Sequence, residues 1–409
     1  MAERFPLAAI PGPIHDIARR LREAGHETWF VGGAVRDVLY ALAHGRPPER
    51  AGDFDIATAA PPAAVQALFR RTVPVGVEHG TLAVLDDDNR AHEVTTFRRD
   101  VKTDGRHAEV EFGVSLEDDL ARRDFTINAI AVHPETGEIR DPFSGRADLE
   151  RGIVRAVGDA AARFREDLLR VLRALRFAAS FGFTVEPATW EAVRASADDL
   201  GELSRERVRD EWLKTLATAA PSRTLGLWRE AGVLVRVWPE LARLPREDEG
   251  RLDALTPRDP VVVTAAALAD AGQDAAASQG AARRLRFSNR DIERVTGIVR
   301  ALADAPPPAG DAAALRRWIA RHRAVASEAA AATREGPAGE RRRAVEATLA
   351  SGAPLATRDL AVDGDDLRAA GIAAGPRMGE VLRALLEVVL DDPALNTREV
   401  LLARAKALP

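Results

Sequence analysis

Two carboxylates separated by one residue, Asp53 and Asp55, open an apolar, strand-like run at residues 53–58. Residues two apart on a strand face the same side, so the two acids project together. Neighbouring carboxylates repel unless a cation lies between them, and Mg²⁺ prefers such oxygen ligands. Two-metal phosphoryl transfer usually involves a third carboxylate, and Glu93, in the strand-like segment 92–97, is the candidate. The alternative is a pair of surface acids at the beginning of a strand.

A glycine pair, Gly32 and Gly33, stands between a predicted buried strand at 27–31 and a predicted helix that begins at Ala34. Glycine lets the backbone turn tightly and approach a ligand, and the first amides of a helix attract anions. Arg36 lies in the first helical turn, where its guanidinium can bind phosphate oxygens through two N–H groups. The segment therefore predicts a phosphate-binding site, and the alternative is an ordinary strand-turn-helix with a solvated arginine.

Further motifs follow in order, at residues 122–129 (RRDFTINA), 141–149 (DPFSGRADL), 166–170 (EDLLR) and 206–212 (ERVRDEW). Together with the glycine pair and the acids, they resemble the tRNA nucleotidyltransferase and poly(A) polymerase family, which belongs to the polymerase-beta-like nucleotidyltransferases. The match is to the bacterial, class II, CCA-adding type. The resemblance implies attack by the tRNA 3′-hydroxyl on the α-phosphate of CTP or ATP, with Mg²⁺ as cofactor and pyrophosphate released.

The resemblance also implies roles for individual residues. Asp53 and Asp55 would bind the metal; the two-metal argument given above adds Glu93 to them as the third predicted catalytic carboxylate. Asp124 and Asn128 would hold the ribose and its surroundings. The implied nucleotide-binding residues are Gly32, Gly33, Arg36, Arg123, Asp124, Asn128, Asp167, Arg170, Arg173 and Arg176.

Asp167 and Arg170 form the predicted base-recognition pair, on a helix predicted over residues 166–181. An aspartate accepts hydrogen bonds and an arginine donates them. The Watson–Crick edges of cytosine and adenine offer an amino donor and a ring acceptor, whereas uracil and guanine reverse this arrangement. A rigid pair should therefore accept C and A and reject U and G. An arginine-rich helix face held by ion pairs is the alternative.

The predicted fold class is α+β: a polymerase-beta-like nucleotidyltransferase head with a mixed sheet and helices, followed by an all-helical neck, body and tail. The predicted domains are the catalytic head at 1–145, the neck with the base-recognition pair at 146–215, the body at 216–304 and the tRNA-binding tail at 305–409. The charged segment 98–112 lacks an apolar period and is predicted to be a mobile loop. In the family, a loop here accompanies addition of the terminal A. Inert connecting sequence is the alternative.

Composition limits the function classes. The formal net charge of −5 argues against indiscriminate nucleic-acid binding without excluding local basic surfaces. Cysteine is absent, which excludes disulfides and Cys-ligated zinc. No apolar run is long enough to cross a membrane and no signal-type segment is visible, so a cytoplasmic location is predicted. The expected partners are tRNA, with CTP and ATP as substrates, and no stable protein partner is implied.

Three functional alternatives share much of this pattern. An A-adding enzyme and a poly(A) polymerase would carry most of the same motifs. A non-catalytic tRNA-binding relative would keep the fold, but the intact Asp53 and Asp55 argue against it.

Overall fold

The computed structural model describes residues 4–47, 54–76, 79–103, 108–255, 258–333 and 338–408. The chain forms two compact units. The first comprises Met1–Glu211 and Arg223–Val237, and the second comprises Trp212–Ser222 and Trp238–Pro409.

The strands all belong to the first unit. They are β1 (Thr28–Val31), β2 (Asp55–Thr58), β3 (Thr72–Gly76), β4 (Thr81–Leu85), β5 (Ala91–Thr96), β6 (Arg98–Thr103), β7 (Ala108–Phe112), β8 (Ala131–Val132), β9 (Ile139–Arg140), β10 (Ile153–Val154) and β11 (Thr184–Val185).

Seven of these strands form one mixed sheet, in the order β3-β4-β5-β2-β1-β8-β9. Strands β2 and β5 pair in parallel, with Ile56 opposite Val94, and the other pairings of this sheet are antiparallel. A parallel pairing needs a crossover, which here runs through the segment between Thr58 and Ala91. The pairing places two distant parts of the chain side by side.

Helices make up most of the remaining described chain. They are α1 (Gly12–Glu23), α2 (Gly33–Ala43), α3 (Pro62–Leu68), α4 (Leu116–Ala121), α5 (Gly145–Arg151), α6 (Ala160–Glu166), α7 (Leu169–Phe181), α8 (Pro187–Ala195), α9 (Arg205–Leu216), α10 (Pro221–Glu230), α11 (Val233–Val237), α12 (Arg246–Glu249), α13 (Pro260–Asp270), α14 (Ala275–Arg284), α15 (Asn289–Ala303), α16 (Ala312–His322), α17 (Ala326–Ala331), α18 (Ala338–Ala350), α19 (Gly364–Ala369), α20 (Pro376–Asp391) and α21 (Arg398–Ala407).

The core of the first unit explains why the strands form where they do. Strand β5 alternates between solvent-facing and buried side chains, so that His92 and Val94 face inward while Glu93 faces outward. Strand β1 is buried along its whole length, and Trp29 and Val31 pack in one apolar cluster with Leu120 of α4. The mixed sheet with helices, followed by helices, confirms the predicted α+β class.

The segment 98–112 corrects one prediction. Strands β6 and β7 form an antiparallel hairpin, and residues 104–107 lie outside the described chain. The loop prediction was wrong because it relied on an apolar period. This hairpin is instead held by backbone pairing and by the cross-strand ion pair between Arg99 Nη2 and Glu111 Oε2, at 2.7 Å.

The second unit is helical in its described residues and has a core of its own. One cluster joins Leu367 of α19, Leu385 and Val389 of α20 and Leu401 of α21. Helix α20 begins with proline in its first turn, directly after Gly375, as expected for helix initiation. Among the described residues, no helix combines the length and apolar character needed to cross a membrane.

Candidate active site

A cavity of about 460 Å³ in the first unit collects most of the predicted site residues. It is lined by parts of β1, β2, β4 and β5, by the segment that follows α4, by the α6–α7 junction and by α9. The predicted residues that line it are Gly32, Gly33, Arg36, Asp55, Glu93, Arg123, Asp124, Asn128, Asp167, Arg170 and Arg173. Arg176 is not among the lining residues, and Asp53 lies outside the described residues.

The glycine turn lies directly against one of the acids. Gly32 has φ 86°, in the region that favours glycine, and it precedes the first residue of α2. A Cβ atom at this position would overlap Oδ2 of Asp55. Only glycine therefore lets the turn and the carboxylate come this close.

Arg36 is nearly buried beneath the glycine turn. Its Nη1 donates to Oδ1 of Asn128 at 2.7 Å, and its guanidinium lies over the rings of Phe177 and Phe181, at 4.9 and 5.0 Å. Burial lowers the pKa of Arg36, but arginine begins so far above neutrality that the side chain stays a cation. The site thus contains a fixed positive charge next to the α2 N-terminus.

Asp55 and Glu93 are neighbours on the two parallel strands, and we call them the acid pair. Ile56 lies opposite Val94, so Asp55 and Glu93, the residues directly before them, are also neighbours. Both side chains lie on the cavity face of the sheet. Two adjacent carboxylates are oxygen donors of the kind that Mg²⁺ selects, and the residues present fit a divalent cation. Within the described chain no three acidic or histidine side chains are arranged so that they could hold a metal ion, and Asp53, the other predicted ligand, lies outside the described residues.

Asp124 forms the centre of a buried polar cluster. Its Oδ1 accepts from Nδ2 of Asn128 at 2.9 Å and from the backbone amide of Phe125 at 2.8 Å. Its Oδ2 accepts from Nε of Arg173 at 2.7 Å. Burial alone would raise the pKa of Asp124, but the charge of Arg173 and these hydrogen bonds outweigh it and hold the pKa below its usual value.

The lowered pKa of Asp124 predicts a contribution to stability that depends on pH. A carboxyl group whose pKa is lower in the folded state stabilises the protein at pH values above its pKa in the unfolded state, which is about 3.9. This contribution disappears as the pH falls through the pKa of the folded state. We expect Asp124→Asn to be less stable than the original protein at pH 5, with a difference that shrinks steadily toward pH 2. Urea unfolding followed by circular dichroism at each pH measures this difference. If the difference in the free energy of unfolding stayed constant with pH, the lowered pKa of Asp124 would be contradicted.

Two arginines of the cavity share one buried acid, Asp119. Its Oδ1 accepts from Nε and Nη2 of Arg122, at 3.0 and 2.9 Å, and its Oδ2 accepts from Nη2 of Arg123 at 3.1 Å. Arg122 was not predicted as a site residue, although it directly precedes Arg123 in the same motif. Arg98 also lines the cavity, and no motif in the sequence distinguishes it from the other arginines.

The base-recognition pair lies at a break between helices. The predicted helix over 166–181 is wrong at its start, because α6 ends at Glu166 and α7 begins at Leu169. Asp167 is extended, with φ −153°, and its Oδ1 accepts from the backbone amide of Leu169 at 3.0 Å. An aspartate that binds nearby backbone amides competes with the helix, which explains the break.

Asp167 and Arg170 both line the cavity, but each has a different partner. Arg170 Nη1 donates to Glu166 Oε2 at 2.9 Å, and its Nη2 donates to the backbone oxygen of Arg122 at 3.0 Å. Oδ2 of Asp167 accepts from Nη2 of Arg207 at 2.7 Å. Arg207 belongs to the 206–212 motif but is not among the predicted site residues.

Arg176 is held by a buried acid and is not part of the cavity lining. Its Nε donates to Oε2 of the buried Glu211 at 2.7 Å, and its guanidinium covers the ring of Phe177 at 4.3 Å. Its predicted role as a nucleotide contact stays a prediction.

Three family models match successive parts of the chain. The poly A polymerase head domain matches residues 28–155, the RNA- and SrmB-binding site of polymerase A matches residues 182–244, and a tRNA nucleotidyltransferase domain 2 matches residues 263–405.

Relatives match over almost the whole chain. A CCA-adding enzyme of Lactiplantibacillus plantarum is 37% identical over 95% of this chain and 94% of its own. One of Geobacillus stearothermophilus is 38% identical over 94% of this chain and 93% of its own. The crystal structure of the Bacillus stearothermophilus CCA-adding enzyme in complex with CTP has 34% identity and a TM-score of 0.82, over 97% of this chain and 96% of that chain. The chain therefore belongs to the CCA-adding enzymes, a family of tRNA nucleotidyltransferases.

Proposed function

We propose that the protein adds C, C and A in turn to the 3′ end of tRNA, from CTP and ATP, in a Mg²⁺-dependent reaction without a nucleic-acid template. The observation that carries the proposal is one cavity lined both by the acid pair and by the base-recognition pair, with Arg36, Arg123 and Arg173 in the same lining. Acids and arginines are the groups that a cation and a triphosphate require.

The 3′-hydroxyl oxygen attacks the α-phosphorus of the nucleotide and gives up its proton to a carboxylate of the site or to solvent. A new P–O bond forms, and the bond between the α-phosphorus and the oxygen that bridges to the β-phosphate breaks, so that pyrophosphate leaves. Bound Mg²⁺ would supply Lewis acidity at the phosphate and a lower pKa for the attacking hydroxyl. Asp55 and Glu93 would hold it, together with the predicted ligand Asp53. The amides at the start of α2 and the guanidinium of Arg36 bind and orient the triphosphate.

Selection of the base rests on Asp167 and Arg170. The carboxylate of Asp167 accepts from the amino group of cytosine or adenine, and the guanidinium of Arg170 donates to the adjacent ring nitrogen. Uracil and guanine would place a carbonyl against the carboxylate and an N–H against the guanidinium, which leaves polar groups unpaired.

The proposed domain division follows from this assignment: a catalytic head at 1–145, a neck at 146–215, a body at 216–304 and a tRNA-binding tail at 305–409. The poly A polymerase head-domain model, which covers residues 28–155, supports a catalytic head in the N-terminal part of the chain. We also propose that the protein works in the cytoplasm, where tRNA, CTP and ATP are available.

The test uses purified protein, Mg²⁺ and three tRNAs that end before CCA, after C and after CC. Each tRNA receives CTP, ATP or both, and product length is measured at single-nucleotide resolution. We expect additions that stop at CCA on every substrate when both nucleotides are present. Extension only of the tRNA that ends in CC, with ATP, would instead identify an A-adding enzyme. Long tails of A would identify a poly(A) polymerase. No extension would favour a non-catalytic tRNA-binding protein.

A further inference from the structure

Asp167 occupies an unusual position for a residue that must recognise a base with precision. It lies between α6 and α7 with an extended backbone, and its amide donates to the backbone oxygen of Arg163 at 3.3 Å while its carbonyl accepts from the amide of Arg170 at 3.0 Å. Its side chain is partly exposed to the cavity. Recognition by complementary hydrogen bonds requires that the carboxylate keep one orientation.

Both oxygens of this carboxylate are held by other groups. Oδ1 accepts from the backbone amide of Leu169 at 3.0 Å, and Oδ2 accepts from Nη2 of Arg207 at 2.7 Å. Each carboxylate oxygen can accept two hydrogen bonds, so this arrangement leaves lone pairs for a ligand. Arg207 comes from α9, forty residues further along the chain, and also lines the cavity.

The partners of Arg170 are separate from this pair. Its guanidinium is oriented by Glu166 and by backbone oxygens of Arg163 and Arg122. The two members of the base-recognition pair are therefore fixed independently, and Arg207 is the side chain that orients the acceptor member.

We propose that Arg207 is a positioning residue for nucleotide specificity, which fixes the carboxylate of Asp167 as a hydrogen-bond acceptor directed at the amino group of the incoming base. This inference rests on the proposed function. Without Arg207, the carboxylate can rotate and adapt to a base edge that presents a carbonyl, so UTP and GTP are rejected less strongly. Arg207 acts through Asp167 and contacts neither the base nor the reacting atoms.

The experiment compares Arg207→Met and Arg207→Lys with Arg209→Met in the full-length protein. Arg209 lies on the same helix, pairs with the adjacent Asp210 at 2.7 Å and is not part of the cavity lining. The substrate is tRNA without CCA, and kcat and KM are measured for the first addition from each of the four nucleoside triphosphates. Thermal unfolding verifies the fold of every variant.

For Arg207→Met we expect the ratio of kcat/KM for CTP to that for UTP to fall about tenfold, with a smaller change in the KM for CTP. Arg207→Lys should restore part of the ratio, because the ammonium keeps the charge without the planar fork. Arg209→Met should retain the original ratio. If Arg207→Met does not fold, the intermediate ratio of Arg207→Lys remains the supporting result.

Three results would overturn the inference. An equal loss of kcat/KM for all four nucleotides would make Arg207 a phosphate contact. A lower KM for CTP with unchanged selectivity would mean that Arg207 competes with the base for Asp167. Full selectivity in both Arg207 variants would exclude a positioning role while the proposed function stands. If the original protein itself failed to prefer C and A, the proposed function would fail, and this inference with it.

Discussion

Asp55→Asn should lower the rate of nucleotide addition by about a thousandfold or more and leave the fold intact. Asparagine keeps the size of the side chain that adjoins Gly32 but removes the negative charge that a divalent cation requires. Loss of metal-ion catalysis costs several kcal/mol, and each ~1.4 kcal/mol corresponds to a factor of ten in rate. The rate is measured in single-turnover extension of tRNA with CTP and Mg²⁺.

A matched variant separates this effect from a general loss of acidic charge. Asp16, on α1, is an exposed carboxylate paired with Arg19 at 3.2 Å, and Asp16→Asn should extend tRNA at the original rate. Filter binding should show that Asp55→Asn still binds tRNA. If Asp55→Asn extended tRNA within tenfold of the original rate, Asp55 would not be a metal ligand. Loss of folding in this variant would make the residue structural.

Gly32→Ala should lower activity about a hundredfold and reduce the free energy of unfolding by roughly 1–3 kcal/mol. Alanine is strained at the positive φ of this residue, and its Cβ would push the carboxylate of Asp55 out of place. Displacement of a catalytic group by about 1 Å can cost about 10² in rate. Extension assays and urea unfolding measure the two effects separately.

Gly12→Ala is the matched control, since Gly12 begins α1 and a Cβ atom there would meet nothing within 4 Å. This variant should be as active as the original protein and at least as stable. If Gly32→Ala lost stability but kept its rate, the close approach to Asp55 would have no role in catalysis.

The parts of the site that sequence predicted best are those with a local signal. The segment that carries Glu93 is recognisable as a strand because it is short and contains Val94, Thr95 and Thr96, which are β-branched, and burial alternates along β5. The glycine turn before α2 is recognisable because adjacent glycines suit a backbone that must approach a ligand. The residues 122–129 have a specific order of types, and Arg123, Asp124 and Asn128 do line the cavity.

The parts that sequence did not predict depend on contacts between distant segments. A helical period runs through residues 166–181, but the side chain of Asp167 binds the amide of Leu169 and interrupts the helix. The hairpin β6–β7 is held by cross-strand pairing. Such pairing leaves no apolar period in the sequence, so the hairpin was not predicted. Arg207 belongs to the recognisable 206–212 motif, but its contact with Asp167, forty residues earlier in the chain, becomes visible only in the folded structure.

The parallel pairing of β2 with β5 also determines when the acid pair forms. Strands β3, β4 and β5 can pair through short connections, whereas β2 joins β5 only after a long crossover has closed. Closing a long loop costs chain entropy before its contacts form, so non-local pairings form late in folding. The β3–β4–β5 meander by itself carries Glu93 but lacks Asp55 beside it. We therefore expect cation affinity only in chains whose β2–β5 pairing has formed.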